Sequence, residues 1–287
     1  MINKEKCACG SGIAFSKCCE PYCDILNINY NSYTDETSLF GWLTRYSLPI
    51  STTFINKAKS YIFRISVYFD HVLDQYFAKG FPKTISNQKD ADDIFIAIKN
   101  NLLNTLIASL SCLSQCLFLQ SGTLLSSFFE GSLVLIDIYE NPTQFNKMKN
   151  GKYSTNNLIT RVKENIPNDI VIWYGHFSAN MVHFGPLHLA PHVPSACYPD
   201  NFVLSNGLID IIRAVVTFHI VLERIYFTQT EKPLFWKLSS DLKVLEYIED
   251  SKVFSWTERL RQELGAEFPP SERKEGFIYS EKNYTLK

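Results

Sequence analysis

Apolar residues recur at three- and four-residue steps along most of this chain, and the breaks between these runs divide it into helices. From Phe54 to Lys79, Ile55, Ala58, Ile62, Ile65, Phe69, Val72, Leu73 and Phe77 follow the period of an amphipathic helix, which Gly80-Phe81-Pro82 ends. A second helix is expected over 90–120, entered through Asp90, Asp92 and Asp93, whose charges suit a helix N-terminus. A third covers 123–139 and stops at Asn141-Pro142, with Ser121-Gly122 as the joint between the two. Lys147 to Tyr153 reads as a polar loop, 154–165 as a short helix closed by Pro167, and 169–184 as a further helix. Ser205 to Thr228 presents a broad apolar face, and a more charged last helix is expected over 239–264. The pattern contains no strand-rich segment, internal repeat or phosphate-binding glycine loop.

This periodicity predicts an all-α fold, a helical bundle of about 5–7 helices over 54–268. Residues 24–53 are expected to form a linker packed on the core, and 269–287 a polar tail. With 46% apolar and 14% aromatic residues among 287, the chain is globular. Its 28 basic and 29 acidic residues exclude a nucleic-acid binder that relies on a broad basic face, leaving room only for a local patch. No charge appears between Lys99 and Glu130, a length that can span a bilayer. Asn101, Asn104, Ser109, Gln115 and Gly122 interrupt the run and no basic cluster flanks it, so two buried helices are expected and no membrane span. The polar opening Met1–Lys6 is unlike a signal peptide, which implies a cytoplasmic protein, and the abundance of Asn, Ile and Lys suggests a bacterial source.

Candidate chemistry is concentrated at the N-terminus. Cys7 and Cys9 stand one residue apart, and Cys18 and Cys19 follow after an eight-residue spacer containing Gly10-Ser11-Gly12, Phe15 and Lys17. Four thiolates at this spacing suit a tetrahedral Zn²⁺, and a closed four-sulfur site leaves no position for substrate, so the zinc is structural. The glycines allow the chain to turn back behind the first two sulfurs. Residues 1–23 resemble the SEC-C motif, the small zinc module of the protein-translocation ATPase, with its C-x-C-x8-C-[C/H] pattern, its GSG and its spacer aromatic all matched. The resemblance implies Cys7, Cys9, Cys18 and Cys19 as ligands and a role in docking a protein or ribonucleoprotein partner. Two positions depart from the family: Ile13-Ala14 stand where lysines are usual, and Cys23 is an extra thiol able to replace Cys19.

Elsewhere the signals are looser. His183, His188 and His192 lie in a proline-rich stretch, with His176 upstream and Cys197 after it, a loop that could hold a catalytic metal. Glu130, isolated among apolar residues, is expected at the rim or paired with Arg213. Arg213–His219 and Arg64–His71 both fit the R-x4 to 6-H spacing that resembles helical HEPN ribonucleases, although Ala214 and Ile65 replace the polar residue usual after the arginine. The expected function is therefore a zinc-bearing recruitment module, similar in outline to bacterial stress or phage-defence bundles. A HEPN-like nuclease or toxin, or a metal enzyme using the His176–His192 region, is the alternative.

Overall fold

The computed structural model describes residues 14–17, 47–83, 88–182, 201–240 and 244–264. These residues form an all-α bundle of α1 (Ser47–Tyr76), α2 (Gln88–Ser114), α3 (Phe118–Glu140), α4 (Pro142–Lys149), α5 (Leu158–Val162), α6 (Asn168–Phe177), α7 (Asn201–Ile225) and α8 (Lys252–Glu263). A short antiparallel hairpin, β1 (Trp236–Leu238) with β2 (Leu245–Tyr247), sets Trp236 opposite Tyr247 between α7 and α8.

Two helices form the centre. α3 is buried over most of its length between Ser121 and Ile138, and α7 between Ser205 and Ile225. They pack against each other, with α2 on α3 and α1 on α7, while α4, α5 and α6 surround the rest of α3. A helix enclosed by neighbours must be apolar all round, which accounts for the missing charge on α3, the second part of the run between Lys99 and Glu130. By length and composition α2 and α3 could each cross a membrane; in this fold α3 is largely enclosed by protein whereas α2 is mostly not, so the expectation of two buried helices holds for α3 alone. α8 runs antiparallel to α1: the Tyr61 hydroxyl donates to the Glu263 carbonyl at 3.1 Å, and further along the pair Tyr68 meets Trp256 with ring centroids 5.2 Å apart.

Several boundaries differ from the sequence expectation. α1 starts at Ser47, so the end of the expected linker is its first two turns; Pro49 falls where a missing N–H breaks no helical bond. α2 ends at Ser114, not at Ser121-Gly122. Cys116 turns the chain at φ 61°, with its N–H donating to the Leu113 carbonyl at 3.0 Å and that of Leu117 to Cys112 at 2.9 Å. Those two bonds close the helix end in the way a glycine usually does. Gly122 instead lies inside α3, where a Cβ would come within 2.6 Å of Met181 Cγ; it serves close packing and not a turn. Met181 belongs to a π-helical turn (Ser178–Val182) that continues α6.

The polar stretch 147–153 is helical in its first part, because Asn141 caps α4 by accepting the Thr143 N–H at 3.2 Å and Pro142 starts it. The last expected helix, 239–264, is helical only from Lys252, where the Ser251 hydroxyl caps α8. Its first part contributes β2, with β1 just upstream, so a short strand stands where the start of that helix is expected. Just before and into β1 the chain bends around Glu223, whose carboxylate accepts the N–H groups of Leu234, Phe235 and Trp236 at 2.7–2.9 Å.

Candidate functional site

The four expected zinc ligands Cys7, Cys9, Cys18 and Cys19, together with Cys23, lie outside the described residues, as do His183, His188, His192 and Cys197. Between the two cysteine pairs, Phe15–Lys17 form a 3-10 turn closed by the Lys17 N–H on the Ala14 carbonyl at 2.9 Å.

His176 lies near the end of α6, partly buried, and burial together with the Arg213 charge pushes its imidazole down to about 4. Arg213 does not pair with Glu130; its Nη1 donates to Asp210 at 2.9 Å, one turn earlier on α7, and its guanidinium lies over Trp173 at 5.9 Å. Burial raises the Asp210 carboxyl to about 6 despite that partner. Arg213 thus links His176 on α6, through its charge, with Asp210 on α7, through a hydrogen bond. Among the described residues, no group of three or more His, Cys, Asp or Glu is placed to hold a metal ion.

The two Arg–His pairs behave differently. Six residues separate Arg213 from His219 along the helix, so they project to different sides of α7. Arg213 meets α6, whereas His219, 1% exposed, is enclosed by Tyr68, Tyr76 and Phe235. Arg64 and His71 are seven apart, two turns, and share one face of α1. Both line a groove of about 550 Å³ along the seam of α1 and α8, together with Phe63, Tyr68, Lys252 and Trp256.

Behind that groove runs a buried polar chain that sequence reasoning missed. The Tyr68 hydroxyl lies 2.6 Å from His219 Nδ1, and His219 Nε2 lies 3.7 Å from Glu223 Oε2. With the imidazole proton on Nε2, Nδ1 accepts from the phenol and the N–H faces the carboxylate. Burial, with a smaller contribution from His71, pushes the imidazole down to about 3, so it stays neutral. Burial also raises the Glu223 carboxyl, opposed by the three amides it accepts. Periodicity places both His219 and Glu223 on α7, but only the fold brings Tyr68 and residues 234–236 to them.

Two further buried groups are structural ties. Lys99, fully buried, donates from Nζ to the Tyr76 carbonyl at 3.0 Å, to the Lys79 carbonyl and to the Tyr226 hydroxyl at 3.3 Å, so a side chain of α2 caps the end of α1. Burial lowers its ammonium to about 8. Asp137 on α3 accepts Arg161 Nε at 2.9 Å and Nη2 at 2.8 Å, and also the Tyr153 hydroxyl at 2.7 Å, which fastens the segment between α4 and α5 to the centre.

No protein-family model, no curated protein and no solved structure matches this chain.

Proposed function

We propose that this chain is a zinc-bearing recruitment protein, in which Cys7, Cys9, Cys18 and Cys19 bind one structural Zn²⁺ and the knuckle docks a protein or ribonucleoprotein partner beside the helical body. The observation that carries this reading is the cysteine spacing around Gly10-Ser11-Gly12, with the 3-10 turn Phe15–Lys17 between the two cysteine pairs. Four thiolates complete the preferred tetrahedron of Zn²⁺, so the metal would fix the chain and leave no open position for substrate. The body supports the same reading. Its buried charges Lys99, Glu223 and Asp137 are engaged by internal partners, whereas large apolar side chains stand exposed along one helix. Ile55 is 52%, Phe63 68% and Val67 52% exposed on α1, apolar surface suited to contact with another molecule.

Elemental analysis of tag-free protein tests the proposal. One zinc per chain is expected in the wild type, and its loss in the Cys7→Ser, Cys9→Ser double variant together with loss of partner binding. Equal zinc content and unchanged interactions in the two proteins would refute it.

A further inference from the structure

The groove along the α1–α8 seam carries a chemistry that the knuckle does not explain. On the α1 side Arg64 and His71 lie two turns apart with Tyr68 between them, and on the α8 side Lys252 and Trp256 are one turn apart. No acidic side chain lines it, although Asp70 and Asp74 belong to the same helix as His71. Lys252 is exposed at the first position of α8, and Trp256 is partly buried with its ring against Tyr68. Arg64 is paired with the Glu263 carboxylate through Nη1 at one edge of this groove, so a phosphate that meets it shares or displaces that partner.

Aromatic surface set among cations matches a chain of bases joined by phosphates. Flat rings stack on Trp and Tyr without regard to base identity, and Arg, Lys and His follow the backbone. The groove volume of about 550 Å³ lies within the range of small-ligand sites and has room for a nucleotide unit. Such a patch is compatible with a net charge of −1, because it is local. We infer that this groove binds single-stranded nucleic acid, one base stacking on Trp256 and adjacent phosphates meeting Arg64, His71 and Lys252. The inference is independent of the zinc knuckle.

Fluorescence anisotropy of a labelled oligouridylate of about ten nucleotides, titrated with the full chain at low salt, tests it. Trp256→Ala should weaken binding about tenfold or more and Trp256→Phe much less, since phenylalanine keeps a ring. Trp256 also packs on Tyr68, so a second variant guards against loss of folding. Lys252→Glu alters an exposed side chain at a helix start, where an acidic residue is favourable; it should keep the melting temperature, weaken binding and flatten its salt dependence. No binding at low salt, or binding that survives Trp256→Ala and Lys252→Glu unchanged, would overturn the inference. So would displacement by an oligoglutamate peptide as effective as unlabelled oligouridylate, which would assign the groove to an acidic protein segment.

Discussion

His219 is 1% exposed, with the Tyr68 hydroxyl at one ring nitrogen and the Glu223 carboxylate beyond the other. Its folded pKa, about 3, lies below the 6.5 of a free imidazole, so the unfolded chain takes up the proton first. The stability this histidine contributes is complete above about pH 6.5 and is lost as pH falls toward about 3. Urea unfolding across that window should show His219→Gln losing less stability than the wild type, because glutamine does not titrate. Glu223, whose raised carboxyl acts in the opposite sense, is present in both proteins and largely cancels in the comparison. An equal loss in both would mean that His219 is not a source of the acid sensitivity. The role of this residue was hidden in the sequence for a physical reason: a histidine on an apolar face looks the same whether it meets substrate or a buried phenol. Lys99 was visible only as the last charge before a long uncharged run, since the carbonyls it caps belong to a different helix.

Among the helices, periodicity located α1, α2, α3 and α7, because each presents an apolar face wide enough to dominate its local pattern. It failed where tertiary contact decides. The α2–α3 joint uses a cysteine in the left-handed region, for which no residue-type signal exists, and the glycine that looked like the joint serves packing. The second strand, Leu245–Tyr247, lies within the helix expected over 239–264 because Leu, Val and charged residues there suit either period, and its pairing with Trp236–Leu238 decides for strand. Helix contact also sets a limit at Gly207 on α7, where an added Cβ would lie 2.3 Å from Leu113 Cδ1 of α2. Leu113 is fully buried and has little space to turn. Gly207→Ala should therefore cost about 1–3 kcal/mol from overpacking, against a gain of about 1 kcal/mol in helix propensity. A lower urea midpoint with an unchanged far-ultraviolet circular dichroism spectrum is expected; a higher midpoint would show that Leu113 moves aside.

At the scale of the molecule, α3 and α7 are enclosed by helices that also lie within 47–264. If the proposed zinc serves only the knuckle, chelation should release it while the helical dichroism and melting temperature of the body stay nearly unchanged. A melting temperature that falls on chelation would instead mean that the metal helps to hold the bundle. Legibility of the candidate sites followed sequence distance. The cysteine pattern is local and could be read directly, whereas the groove joins Arg64 and His71 to Lys252 and Trp256 from the other end of the described chain. That separation also orders events during synthesis. Tyr68 waits 151 residues for His219, and Arg64 waits 199 for Glu263. At about 5–20 residues per second, the face of α1 that ends up against α7 and α8 stays uncovered for about 8–40 s after it is made. The first long helix of this body is thus an early product with a late partner, and for those seconds its apolar side is open to whatever else is at the ribosome.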